Sequence, residues 1–201
     1  MIHLHVHTKY SLRDSIIDYD DLIKRLKDIG QNAIAATDHG NIFASISLYK
    51  RLKKENIKYI HGCEMYICDD VAVKDQNNKY YHLLVLCKNE QGRINLNKLI
   101  SISNKEENFY NKPRIDFELL RQHKEGLIVA SACLAGEIAK YLKTDENEAI
   151  KRALRYQQEF GEDYYLEIQA RNDNEQIEIN KKIINLSKKL NIELIVTTDA
   201  H

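Results

Sequence analysis

Residues 2–7 read Ile-His-Leu-His-Val-His, so apolar residues and histidines alternate strictly at the start of the chain. A period of two is typical of a β-strand and places His3, His5 and His7 on one face. Each neutral imidazole needs a hydrogen-bond donor and an acceptor, which a core rarely provides for three neighbours. Because His-x-His is also a common ligand spacing for zinc-type ions, we interpret this strand as part of a metal site. Hydrogen-bonded core histidines are the alternative.

Apolar runs of strand length continue along the chain and alternate with amphipathic stretches of helical period. We predict strands at 33–37, 57–63, 81–87, 126–131, 164–169 and 193–198, and helices near 18–29, 42–55, 89–104, 135–160 and 174–190. The segment around Pro113 is expected to be irregular. Together with residues 2–7, this alternation predicts an α/β fold with a largely parallel sheet. Seven such units in 201 residues suit a small barrel better than an open sheet, and we expect one domain over residues 1–201.

The composition limits the classes of protein to which the chain can belong. Hydrophobic residues make up 43% and charged residues 30%, which is ordinary for a globular protein and excludes a disordered chain. No apolar run approaches a membrane span and no secretion signal is recognisable, so we expect a cytoplasmic protein without a membrane partner. The 30 basic residues balance 30 acidic ones, and this zero net charge predicts weak binding of nucleic acid by the domain alone.

Several predicted strands end in residues that ligate transition metals. The ends read Thr37-Asp38-His39-Gly40, Gly62-Cys63-Glu64, Ser131-Ala132-Cys133 and Thr198-Asp199-Ala200-His201. Each has an ordinary alternative, such as Asp38 capping the following helix, but together they predict one metal site at the carboxyl ends of the strands. His82 instead opens its strand, and would reach the site if that strand paired antiparallel with the segment after Glu64.

These motifs resemble those of a known family. His5-Val6-His7 with Ser11 and Asp14, Thr37-Asp38-His39-Gly40-Asn41 and Gly62-Cys63-Glu64 are similar to the motifs of the polymerase and histidinol phosphatase (PHP) superfamily. Tyr81-His82-Leu83-Leu84-Val85-Leu86, the stretch from Ser131 to Glu137 and Asp199-Ala200-His201 resemble in particular the N-terminal PHP domain of bacterial replicative DNA polymerase III alpha subunits.

The resemblance implies a distorted seven-stranded (β/α)7 barrel, similar to a TIM barrel, that lacks its C-terminal helix here, with three divalent metal ions. The implied metal ligands are His5, His7, Asp14, His39, Glu64, His82, Cys133, Asp199 and His201. One ion would use His5, His7, Glu64 and Asp199, a second Glu64, His82 and Cys133, and a third Asp14, His39 and His201. Glu64, Asp199 and His7 would be the catalytic residues. Cys133 favours zinc, while the carboxylates also accept manganese or iron.

The implied activity is that of a metal-dependent phosphodiesterase, acting as a 3′–5′ proofreading exonuclease on the 3′ primer end of DNA. The implied partners are the rest of a polymerase chain, of which this would be the first domain, and replisome subunits such as the clamp or a proofreading subunit. One alternative is a non-catalytic, metal-stabilised scaffold that binds partner subunits. Another is a small-molecule phosphatase of the histidinol-phosphate type, for which Arg13, Arg114 and Arg171 are candidate phosphate ligands. Tyr10 could stack on a base.

Overall fold

The computed structural model describes residues 2–76, 78 and 80–201 of the chain. Strands β1 to β7 span Ala33–Ala36, Lys58–Cys68, Tyr80–Cys87, Arg114–Asp116, Leu127–Ala130, Tyr164–Gln169 and Leu194–Thr197. Helices α1 to α7 span Tyr19–Asp28, Ser45–Lys54, Glu90–Ser103, Phe117–Gln122, Glu137–Thr144, Glu146–Phe160 and Asn174–Leu190, and Gly161–Asp163 forms a short 3₁₀ turn. The predicted alternation of strands and helices is therefore confirmed over most of the chain.

The strands form one sheet in the order β1-β2-β3-β5-β6-β7, and β4 pairs with β2 outside this path. The pairs β1–β2, β2–β4, β5–β6 and β6–β7 are parallel. Strand β3 runs antiparallel to both β2 and β5. The sheet is thus largely parallel as predicted, and the antiparallel hairpin that His82 requires is present.

The N-terminal segment completes the barrel, although it forms no continuous strand. His3 makes a parallel bridge to Ile34 in β1, and Val6 makes one to Ala200 just after β7. The chain bends at His5 between these two bridges, so the two ends of the segment pair with different neighbours. The prediction of an unbroken strand over residues 2–7 is wrong for this reason. The segment nevertheless lies between the first and last strands and closes the curled sheet into a distorted seven-stranded barrel.

Two further predictions need correction. Strand β2 continues to Cys68, because residues beyond 63 pair with both β3 and β4, so Glu64 lies inside a strand rather than at its end. The segment after Pro113 is not irregular: it forms β4 and the short helix α4, whose first turn is capped by Asp116 accepting from the backbone N–H of Leu119.

Two apolar layers hold the barrel together. Leu83 and Val85 of β3 belong to the core between the sheet and the surrounding helices, whereas Leu84 and Leu86 belong to the core inside the barrel. This alternation of side chains decides which residues reach the interior. His82 lies two residues before Leu84, on the same face of β3, and is therefore directed inward.

Candidate metal centre

Strand alternation also directs acidic side chains into the barrel. Glu64 has the parity of Ile60, an interior residue of β2, while Cys63 and Met65 pack against the helices. Glu167 of β6 has the parity of the interior residue Tyr165. Glu64 and Glu167 are each only 1% exposed. Because buried carboxylates are costly without partners, these two positions predict a polar cluster in the barrel.

Glu64 lies at the centre of that cluster. Its two carboxylate oxygens lie within 3.7 Å of a nitrogen or sulfur atom of five other predicted ligands: His5, His7, His39, His82 and Cys133. The shortest of these distances is 2.8 Å, between Oε2 and His39 Nδ1. The position suits a carboxylate that bridges more than one ion.

The remaining predicted ligands surround this centre. Asp199 Oδ1 lies 3.3 Å from His5 Nε2, 3.4 Å from His7 Nε2 and 3.1 Å from His201 Nε2. Asp14 Oδ2, on the solvent side, lies 2.9 Å from His39 Nε2 and 2.8 Å from His201 Nδ1. All nine predicted residues are therefore brought together. His3 is not among them, because its Nδ1 contacts Thr198 Oγ1 at 3.0 Å instead.

Three groups of these side chains have donor atoms close enough to share an ion: within each group, the ligand atoms lie within 4.8 Å of one another. The groups are His5, His7 and Asp199; His7, Asp14 and His39; and His39, Glu64 and His82. The first contains three of the four residues implied for one ion and lacks Glu64, while His7 and His39 each belong to two groups. The assignment of ligands to individual ions stays a prediction.

Several atoms of the cluster are buried but make no hydrogen bond. They are His5 Nε2, His7 Nε2, His39 Nδ1 and Glu64 Oε2. Unpartnered buried polar atoms are rare in folded proteins, since each costs about 1–3 kcal/mol. The four belong to neighbouring side chains of the kinds that bind divalent ions. The residues present therefore fit a metal centre.

A family model for the PHP domain matches residues 3–171. The chain belongs to the PHP domain family. It is 42% identical over 210 residues to "DNA polymerase III subunit alpha" of Aquifex aeolicus (strain VF5), a match covering 100% of this chain and 18% of that protein. It is 41% identical over 206 residues to "DNA polymerase III subunit alpha" of Treponema pallidum (strain Nichols), again covering 100% of this chain and 18% of the relative. The chain thus spans less than a fifth of the length of these relatives.

Solved structures share the fold of this PHP domain at low sequence identity. One is described as a metal-dependent phosphoesterase from Bifidobacterium adolescentis, with a TM-score of 0.60, 12% identity, and coverage of 100% of this chain and 87% of that chain. Another is an amidohydrolase from Chromobacterium violaceum, with a TM-score of 0.64, 10% identity and the same coverage.

Within the described residues, no helix combines the length and apolar character needed to span a bilayer.

Two buried carboxylates that the sequence did not single out as functional orient histidines of the PHP domain. Glu167 Oε1 accepts a hydrogen bond from His5 Nδ1 at 2.8 Å, so the unprotonated Nε2 of a neutral His5 faces the cluster. Asp38 accepts from the hydroxyl of Ser11 at 2.8 Å, so Ser11 Oγ must accept in turn from His7 Nδ1 at 2.9 Å. Such partners fix the tautomer and direction of metal-binding histidines.

The alternative that Asp38 caps the following helix is wrong. Helix α2 begins after Ala44 without a side-chain cap, and Asp38 instead accepts from the backbone and hydroxyl of Thr8 as well as from Ser11. The alternation of β6 could have placed Glu167 inside the barrel. His7, Ser11 and Asp38 all belong to the PHP family motifs, but nothing local in the sequence indicates that they form a hydrogen-bonded chain.

The electrostatics of the PHP domain favour charged carboxylates in the cluster. Burial alone would raise the pKa of Glu64, but the neighbouring imidazoles, above all His5 and His39, hold it well below its usual range. Burial opposes ionisation of Asp199 in the same way, yet the neighbouring imidazoles of His7 and His5 lower its pKa. Burial and the Glu64 carboxylate raise the pKa of the Cys133 thiol, so metal binding would have to displace its proton.

The candidate phosphate-binding arginines are dispersed. Arg114 is completely buried and donates to the carbonyl oxygens of Asn108, Val71 and Val73, which makes it a structural residue. Arg171 is exposed and lies 3.3 Å from Asp173. Arg13 lies beside the predicted ligand Asp14 and has a left-handed backbone with φ of 68°. Ala132 and Asp199 share this conformation, with φ of 60° and 50°. The other described non-glycine residues with positive φ are asparagines outside the metal cluster, a residue type that adopts this conformation more readily.

Proposed function

We propose that this PHP domain is a metal-dependent phosphodiesterase of a DNA polymerase III alpha subunit, acting in the cytoplasm as a 3′–5′ exonuclease on the primer end. The observation that carries the proposal is the convergence of all nine predicted ligands on one cluster around Glu64, with four buried donor or acceptor atoms unpartnered. The full-length match to one portion of DNA polymerase III alpha subunits supports the assignment to a polymerase.

We assign His5, His7, Asp14, His39, Glu64, His82, Cys133, Asp199 and His201 as the residues that would hold three divalent ions. Imidazoles and a thiol together favour zinc, and the carboxylates are compatible with manganese or iron. When bound, ions of this kind activate a water molecule and stabilise the leaving oxygen of a phosphodiester.

The residues of the chain have distinct tasks in this proposal. Glu64 and Asp199 remain ionised at neutral pH because imidazoles lower their pKa values, so both keep their oxygens available as ligands. His7 is held by Ser11 with its Nε2 directed between Glu64 and Asp199. These three residues are the proposed catalytic residues, since His7 Nε2 lies within 3.5 Å of both carboxylates.

The proposed partners are the DNA primer end, the rest of the polymerase chain and replisome subunits such as the clamp or a proofreading subunit. A non-catalytic scaffold would hold the same metals for stability alone. A histidinol-phosphate-type phosphatase would need a basic residue that binds the substrate phosphate. The burial of Arg114 removes one of the three arginine candidates for this role.

A substrate comparison tests the proposal. The chain would be loaded with Zn²⁺ or Mn²⁺ and offered a 5′-labelled primer with a mismatched 3′ end, and separately histidinol phosphate. We expect stepwise shortening of the primer, loss of this activity in Glu64→Gln, and no loss in the matched exposed variant Glu162→Gln. Full primer cleavage by Glu64→Gln would overturn the mechanism. Turnover of histidinol phosphate alone would favour the phosphatase, and bound metal without any turnover would favour the scaffold.

A further inference from the structure

A cleft of about 450 Å³ opens directly onto the metal cluster. The predicted ligands Asp14, His39 and His82 form part of its lining, so a molecule in this cleft lies against the site. Its volume is within the range of about 300–1,000 Å³ that is typical of pockets for small ligands. The other side chains of the cleft therefore determine what is presented to the cluster.

One rim of the cleft carries an aromatic ring that contributes little to the core. Phe43 is 72% exposed, but its backbone N–H donates to Asn41 Oδ1 at 3.0 Å. The amide nitrogen of Asn41 donates to the carbonyl oxygens of His39 at 2.9 Å and Tyr10 at 3.2 Å. The backbone that carries Phe43 is thus tied to the metal-site loops, while its ring stays in solvent. The Tyr10 ring lies edge-on to it, with centroids 6.3 Å apart.

Other lining residues of the cleft combine further rings with a cation. Tyr66 stacks on the predicted ligand His39 at 5.8 Å, and the ring of Tyr80 meets Tyr66 edge-on at 5.2 Å. The ammonium group of Lys112 lies 5.1 Å from the centre of the Tyr66 ring. Among the described residues, no carboxylate forms an ion pair with Lys112. The cleft is therefore lined by one positive charge that no described carboxylate pairs with.

Exposed aromatic rings beside a cation are the combination that proteins use to bind single-stranded nucleic acid, because bases stack on the rings and phosphates are drawn to the charge. We infer that this cleft binds one unpaired nucleotide, with its base on Phe43 beside Tyr10 and Lys112 near a phosphate of the strand. This inference rests on the proposed function and adds the substrate form to it. The base of a paired 3′ nucleotide is stacked on its neighbour and hydrogen-bonded to the template, so this nucleotide must leave the duplex to reach Phe43, which costs least at a mismatch or in a single strand.

Equilibrium binding tests the role of Phe43. The ligand is a labelled oligonucleotide with a single-stranded 3′ end and a terminal phosphorothioate linkage that slows cleavage, and fluorescence anisotropy is measured. Phe43→Ala should weaken binding by about 5- to 150-fold, the usual effect of removing an aromatic side chain on which one base stacks. Phe109→Ala is the matched control, because Phe109 is 44% exposed and does not line the cleft. Thermal melting of both variants checks that they fold.

An abasic 3′ nucleotide separates stacking from other effects. The wild-type chain should bind this oligonucleotide more weakly, and Phe43→Ala should cause no further loss. Lys112→Ala should weaken both oligonucleotides equally, because its interaction is with phosphate. Equal affinity of wild type and Phe43→Ala for the intact oligonucleotide would overturn the inference. The exposed Phe43 ring would then contact a different ligand, such as a protein.

The same variants distinguish failure of this inference from failure of the proposed function. If wild type and Phe43→Ala shorten a mismatched primer with the same KM, the cleft assignment is overturned while the nuclease stands. A second outcome is that wild type cleaves no DNA while Phe43→Ala loses affinity for the intact oligonucleotide but not for the abasic one. In that case the cleft assignment is supported and the proposed activity fails.

Discussion

Replacing Glu167 with glutamine tests whether this buried carboxylate controls the metal centre through His5. Its Oε1 accepts hydrogen bonds from His5 Nδ1 at 2.8 Å, Thr197 Oγ1 at 2.6 Å and Gln169 Nε2 at 3.3 Å. A glutamine oxygen can occupy the place of Oε1 and keep these bonds. The negative charge is lost, however, and a donor group replaces Oε2, which is buried without a hydrogen bond.

The expected effect of Glu167→Gln is a loss of metal affinity of about 10- to 100-fold, the usual result of removing the carboxylate partner of a metal-binding histidine. This corresponds to about 1.4–2.8 kcal/mol of binding free energy. The physical reason is that a neutral partner leaves His5 less basic at Nε2, the atom that faces Glu64 and Asp199. Glu64→Gln should cost far more, because it removes the carboxylate that contacts most of the cluster.

Competition with a chromophoric chelator measures the affinity for Zn²⁺ or Mn²⁺ in both variants and in Glu162→Gln, an exposed control. Circular dichroism of the metal-free proteins establishes that the fold is retained. An unchanged affinity in Glu167→Gln would refute the orienting role. A loss as large as that of Glu64→Gln would show instead that Glu167 is itself a ligand.

Three other changes test the site and the fold. Cys133→Ser should lower affinity for Zn²⁺ more than for Mn²⁺, because the thiolate is the soft ligand, whereas Cys87→Ser should alter neither in the same titrations. Removing metal present at about 100 times its Kd should lower Tm by roughly 5–11 °C in calorimetry, from a loss of about 2.7 kcal/mol of stabilisation; an unchanged Tm would contradict binding to the folded state. Gly92→Ala should destabilise the chain by about 1–3 kcal/mol in urea with or without metal, since an added Cβ would overlap the carbonyl oxygen of Gly126. A cost that appears only with metal present would contradict this packing explanation.

The sequence predicted the fold class well, because six of the seven strands are short apolar runs whose period and spacing are local properties. It failed where pairing depends on distant residues. Strand β2 extends past Glu64 because β3 and β4 flank it there, and residues 2–7 form isolated bridges because their two ends have different partners. The antiparallel hairpin that brings His82 to the site was expected only because His82 opens its strand and would otherwise lie at the wrong end of the sheet.

The sequence predicted the part of the site that local motifs encode and missed the part that depends on contacts between distant residues. The proposed ligands are recognisable from the match to PHP family motifs, several of which follow predicted strands, whereas their supporting partners are not marked in the sequence. Glu167 contacts His5 across 162 residues, and Asp38 reaches His7 only through the hydroxyl of Ser11. Contacts of this kind depend on how the closed barrel aligns its strands, and periodicity does not determine that alignment.

The unpartnered atoms also bear on whether the cluster could be an ordinary polar core. Four buried atoms without hydrogen bonds, on His5, His7, His39 and Glu64, would cost about 1–3 kcal/mol each in a metal-free protein. A core histidine needs a partner at both ring nitrogens, yet His5 and His7 each have one nitrogen bonded by the protein and the other directed at the cluster. Bound cations would offset this cost, because they accept the free lone pairs and balance the ionised carboxylates.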